Sequence, residues 1–148
     1  MFRSALLTLT FVAATTAAQA ETIKVATTKS VADAADALVA AVEGAGAKVF
    51  ARIDHGAGAQ SIGEDIGGSQ LVIFGNPKVG TPALMKSRET GLALPLKVLV
   101  YEDPEGAAWL AYEAPAGRLN DLAGSDLPAE LSAPMAGALA KLTAKAAE

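Results

Sequence analysis

"LVIFGNPKVGTPALM", Leu71 to Met85, decides how this chain is expected to fold. Four consecutive apolar residues, Leu71 to Phe74, read as a central strand buried on both faces. Gly75 allows backbone geometry that a side chain would obstruct, and Asn76 precedes Pro77, which biases it away from the helical region. The chain must therefore turn here. Gly80 permits a second bend, Thr81 can cap, and Pro82 suits a first helical position, so a helix is expected to start near Thr81. Strand, turn and cap account for most of the stretch and leave Asn76, Lys78 and Met85 less well explained. A helix start with free N–H groups can bind an anion, and Lys78 would add charge. The phosphate-loop arrangement G-x-x-x-x-G-K-[ST] is absent.

Working outward, "ETIKVAT" (Glu21–Thr27) alternates as a first strand. In "SVADAADALVAAVEGAG", Ser30 can cap, Asp33 serves the first turn, and Gly44 with Gly46 ends a helix. Val31, Ala35, Leu38, Val39 and Val42 share one of its faces. "KVFARIDH" (Lys48–His55) is a second strand, and Ala59, Ile62 and Ile66 lie at the spacing of a short helix. "LPLKVLVYEDPEGAAWLAYEAP" reads as two antiparallel strands joined by a turn at "DPEG". The tail from Pro128 repeats Leu131, Met135, Leu139 and Leu142 as a terminal helix, interrupted near Pro134. This order predicts an α/β (α+β) fold, a two-layer sandwich of a mixed sheet with helices packed on one face.

The first twenty residues, "MFRSALLTLTFVAATTAAQA", have the form of a secretory signal peptide. Arg3 supplies the positive start, Ala5 to Ala14 an apolar run, and Ala18-Gln19-Ala20 an A-x-A cleavage site. The expectation is residues 1–20 as signal, 21–148 as a single domain, periplasmic localisation, and no membrane span after cleavage. The formal net charge of −4, with basic residues scattered, argues against nucleic acid as a partner. Without cysteine, the chain has no disulfide, thiol nucleophile, covalent haem attachment or thiolate metal site. A single histidine, His55, cannot build a multi-imidazole zinc site within one chain.

The segments "ARIDHGAGAQSIG" (Ala51–Gly63), "LVIFGNPKVGTPALM" (Leu71–Met85) and "LALPLKVLVYEDPEGAAWLAYEAP" (Leu92–Pro115) together resemble the bacterial domain of unknown function 302 family. The resemblance runs from about Thr27 to about Asp121. It implies a compact α/β sandwich and a signature falling on Asp54, His55, Phe74, Gly75, Asn76, Pro77, Gly80, Thr81, Met85, Pro95 and Lys97. The chain departs from similar members at Ser69-Gln70, where Arg-Pro is common, and at Ala93, where an acid is common. A shared fold does not specify a reaction.

His55 is the only imidazole, and Met85 closes the second signature segment. Imidazole and thioether suit haem iron or copper(I). The candidate site is therefore His55 and Met85 as metal ligands, with Phe74 and Asn76 beside the cofactor. Non-covalent haem b is the first expectation and copper(I) the alternative, with a second subunit able to supply the opposite axial ligand. The expected function is that of an exported non-enzymatic binding protein. A cofactor-free interaction or structural module is the alternative, and a small hydrolase or lyase with His55 as general base a weaker one. Ser61 and Ser69 lack a nucleophile elbow. The pairs Glu64-Asp65 and Glu102-Asp103 read as turn and surface carboxylates. Trp109 and Tyr112, three apart in a strand, should face opposite sides, and an exposed aromatic on an edge strand would suit a homodimer.

Overall fold

The computed structural model describes residues 21–124 and 127–148, so the signal-peptide reading of residues 1–20 lies outside the described residues. The elements are β1 (Thr22–Thr27), α1 (Val31–Gly44), β2 (Lys48–Asp54), α2 (His55–Gln60), β3 (Ser69–Gly75) and α3 (Pro77–Lys86). A 3₁₀ turn (Arg88–Leu92), β4 (Leu96–Glu102), β5 (Ala108–Glu113), α4 (Pro115–Ala123) and α5 (Ala129–Ala147) follow. The five strands form one sheet in the order β1-β5-β4-β3-β2.

The two-layer α+β arrangement is as the sequence predicts, with one refinement: every strand pairing is antiparallel, so the sheet is not mixed. Between β3 and β4 the chain turns through the ten-residue α3 and the 3₁₀ turn, and β4 then pairs antiparallel to β3. The 14-residue α1 is about 21 Å long and recrosses the sheet, linking β1 at one edge to β2 at the other.

α1 and α5 pack together over one face of the sheet, where Leu38, Val42, Val72, Val100, Leu110 and Leu139 form the main core. Ser30 caps α1 as expected: its Oγ accepts from the Asp33 N–H and donates to the Asp33 carboxylate. The last carbonyls of α5 are satisfied by β1 and its exit. The Thr27 hydroxyl donates to Ala147 O at 2.9 Å and Lys29 Nζ to Ala146 O at 3.0 Å.

Four local expectations change. α3 starts at Pro77, not near Thr81, because Asn76 is itself the cap: its Oδ1 accepts from the Lys78 N–H at 3.0 Å, and Pro77 takes the first helical position. α5 runs unbroken through Pro134, since the lost hydrogen bond falls on the exposed side while Met135, Leu139 and Leu142 hold the helix down. α2 stops at Gln60, leaving Ile62 and Ile66 exposed. β5 lies inside the sheet, so its aromatics are not on an edge: Tyr112 is buried under the helices, and Trp109 is half-buried on the opposite face.

Candidate functional site

β3 ends at the buried Phe74 and Gly75, and α3 leaves immediately. Asn76 stitches this corner. Besides capping α3, its Nδ2 donates to Gly46 O at 3.3 Å and so ties the corner to the end of α1. The Val79 and Gly80 N–H groups both donate to Asn76 O, at 2.9 and 3.0 Å. With Lys78 N–H capped as well, the start of α3 offers no free donors to an anion. The hydrogen bonds here are those of a strand exit and a helix cap rather than of an anion site, and Lys78 is exposed.

The corner nevertheless forms one wall of a cavity of about 710 Å³. Phe74, Gly75, Asn76, Pro77, Gly80 and Thr81 line it from one side. The Leu94–Leu96 segment, whose Leu94-Pro95 bond is cis, and the Met135, Ala138 and Leu142 side of α5 close it. Val79 and Leu84 add apolar surface from α3, and Phe50 does so from a bulge in β2. The sequence signal for Phe50 was the unbroken alternation of "KVFARID", which hid the bulge between Val49 and Ala51. Gly75 belongs here for a steric reason: an added Cβ would stand 3.2 Å from Phe50 Cε2 and 3.6 Å from Pro95 Cβ.

A second concavity, of about 880 Å³, lies beside α4, lined by the start of β4, the end of β5 and Met135 and Leu139 of α5. It mixes Lys97, Glu113, Arg118 and Asp121 with an apolar floor of Leu71 and Leu99.

The predicted ligand pair does not assemble. Asp54, just before His55, pairs with Gln70, whereas α3 departs beyond Gly75, which pairs with Lys48 at the opposite end of the β2–β3 ladder. Met85 near the end of α3 is 75% exposed. His55 is exposed at the start of α2 and lines neither cavity. Of the four candidate residues, only Phe74 and Asn76 meet, both on the 710 Å³ cavity. Among the described residues no group of three or more His, Asp or Glu side chains could hold a metal. Haem or copper(I) ligation through His55 and Met85 of one chain therefore does not fit these residues. Asp54 is not a partner for His55 in acid–base work; its Oδ1 accepts from the Ala57 N–H at 2.8 Å and caps α2.

Two titratable groups are clearly shifted, Asp103 in the "DPEG" turn and Lys24 on the face of the sheet without helices. The Asp103 carboxyl is held below its ordinary value, first by the Trp109 indole N–H, which donates to Oδ2 at 2.8 Å, and then by the Ala107 N–H. Lys24 is raised, chiefly by the Tyr101 side chain; its ammonium lies 5.6 Å from the Tyr101 ring centre and 6.0 Å from that of Trp109. Asp103 and its neighbours shape a turn rather than a pocket.

Comparison with known proteins adds a family and a fold. Two curated relatives, fluoride-specific ion channel FluC 1 from Brucella suis biovar 1 (strain 1330) and from Brucella abortus biovar 1 (strain 9-941), are each 41% identical over 87 residues. That stretch is 59% of this chain and 34% and 32% of the relatives, so the chain spans about a third of their length. No helix of the described residues is long and apolar enough to cross a membrane. The crystal structure of an uncharacterized conserved protein DUF302 from Bacillus stearothermophilus superposes with a TM-score of 0.75 at 18% identity, covering 84% of this chain and 97% of that one. At that identity the likeness shows the fold alone. The family described as domain of unknown function DUF302 matches residues 23–146, and the chain belongs to it.

Proposed function

We propose that this protein is an exported, non-enzymatic binding protein whose ligand is a small molecule with a large apolar part held in the cleft between α3, the Leu94–Leu96 segment and α5. One observation carries the reading: the Phe74–Thr81 segment and Pro95, which belong to different signature stretches, line the same apolar cavity of about 710 Å³. Pockets for small ligands are typically concave, mainly apolar and about 300–1,000 Å³ in volume. Export is supported by Arg3, the apolar run that follows and the Ala18-Gln19-Ala20 site.

The test is titration with N-phenyl-1-naphthylamine, whose emission rises in apolar surroundings. Saturable binding that weakens when the cleft is narrowed by Gly80→Leu supports the proposal. Binding unchanged by that substitution overturns it. Haemin added in parallel, followed by its Soret band in wild type and His55→Ala, reports on the haem alternative, and copper(I) titration with Met85→Ala on the copper one.

A partner-binding module is the second reading. It is favoured by the 87-residue stretch shared with proteins named as channels, two thirds of whose length lies elsewhere. It is also favoured by the sheet face opposite the helices, where Leu71, Ile73 and Leu99 are half-buried and Ile53 is 41% exposed. A homodimer is one form of that reading, and a concentration-independent dimer mass in solution would support it.

A further inference from the structure

The cleft is charged at one point. Among the described residues its walls carry no carboxylate and a single cation, Lys141 of α5. Pro134, Ala138 and Lys141 recur at i, i+4 and i+7, so the lysine stands on the same helical stripe that lines the cavity, two turns along from Pro134. The ion pair found among the described residues is Arg52 with Asp36, which leaves the Lys141 ammonium without an acidic partner there. Across the cleft, the exposed Thr81 supplies a hydroxyl from α3. Asn76 gives one amide N–H to Gly46 O and accepts the Lys78 N–H on its carbonyl oxygen, which fixes it in the corner. The remaining wall is hydrocarbon from Phe74, Leu94, Leu96 and Leu142.

Resting on the binding reading above, we infer that the ligand is an anionic amphiphile, an apolar chain ending in a single negative group. Its tail lies along Phe74, Leu94, Leu96 and Leu142, and its head meets the Lys141 ammonium and the Thr81 hydroxyl. A wholly apolar guest makes no use of a cation on the cavity wall. A cationic head is repelled by it, with no carboxylate in the lining to compensate. Tail burial supplies the affinity and Lys141 selects the head. Because Lys141 is exposed, its ion pair shifts a dissociation constant by about fivefold rather than by orders of magnitude, and added salt erodes the difference.

The experiment compares decanoate, decanol and decyltrimethylammonium, below their micelle concentrations, as competitors for bound N-phenyl-1-naphthylamine. Decanoate should bind about fivefold tighter than decanol, with the ammonium compound weakest. Lys141→Met should bring decanoate to the level of decanol while decanol itself is unchanged, and Lys141→Arg should keep the preference. Equal binding of decanoate and decanol to the wild type, or a preference that survives Lys141→Met, overturns the head-group assignment and leaves the apolar cleft standing. If none of the three displaces the probe from the wild type, the cleft-binding reading itself has failed, and the head-group assignment falls with it.

Discussion

Replacing Gly137 with leucine should make the protein more stable and a poorer binder at once. Gly137 lies midway along α5 and lines the cleft, and a Cβ built there meets no heavy atom within 4 Å. The backbone gain is therefore free of any clash. Glycine costs a helix interior about 0.8–1.0 kcal/mol relative to alanine, and leucine is nearly as good a helix former as alanine, so the variant should gain about 0.5–0.8 kcal/mol. For a domain of this size that raises Tm by about 2–4 °C. In a helix the leucyl side chain leans back toward the N-terminus, over Pro134 and the mouth of the cavity. Crowding a bound ligand by those atoms costs about 1–3 kcal/mol, so probe affinity should fall by about fivefold or more. Thermal unfolding and N-phenyl-1-naphthylamine titration measure the two effects, with Gly137→Ala as the control that gains stability without filling space. A Tm below that of the wild type would show that this side of α5 is not open. Equal probe affinity in Gly137→Leu and Gly137→Ala would show that ligands do not use the cleft.

Burial separates the methionines: Met135, fully buried, should cost about 2–5 kcal/mol as Met135→Ala, whereas Met85→Ala, at a 75% exposed site, should change stability by less than about 0.5 kcal/mol in urea unfolding. Gly56→Ala should destabilise by about 1–3 kcal/mol, because the added Cβ would sit 2.8 Å from the backbone oxygen of Gly67; unchanged unfolding would contradict that approach. Asp103 titrates below its ordinary 3.8 in the folded state because of the Trp109 indole and neighbouring backbone N–H groups, so its contribution is complete above the unfolded value and is lost as pH falls through the folded one. The urea midpoints of wild type and Asp103→Asn should accordingly differ above about pH 4 and converge in acid, with the emission of Trp109, the sole tryptophan, as readout. Expressed from Met1 in a bacterium, the chain should give an exported form whose mass corresponds to a start at Glu21; an exported form that retains residues 1–20 would refute the expected cleavage site.

Periodicity made the layers legible. The apolar positions of α1 appear in the sequence almost as they are buried, and the "LVIF" run does become a strand whose Val72 and Phe74 enter the core. What periodicity could not show was which way each connection turns. The start of α3 depends on Asn76 acting as a cap, and the Asn-Pro pair already carried that signal. Thr81 and Pro82 were a competing start one turn later, and local propensity alone does not rank the two. Cap geometry decided it: Asn76 adopts φ −133° and ψ 122°, the extended conformation that proline imposes on its predecessor and a cap requires. The His55–Met85 pairing failed for a different reason. Sequence proximity of signature segments says nothing about which end of a ladder each one reaches, and the register of β2 with β3 puts His55 beyond one end and the start of α3 beyond the other.

The signature thus divides by physical role. Asn76 and Pro77 build the corner, with the Asn76 amide bonded to Gly46 O and the Lys78 N–H, while Gly75 keeps the space that Phe50 and Pro95 fill. Phe74 and Thr81 present atoms to the cavity that the corner creates. The charge that gives the cavity a preference comes from none of these. It comes from Lys141, in an alanine-rich helix whose sequence reads as filler. A site assembled this way can keep its walls while its selectivity is set by one exposed position on a separate element. Substituting Lys141 should therefore change which head group is accepted without disturbing the corner, and substituting Asn76 should loosen the corner and weaken all ligands alike.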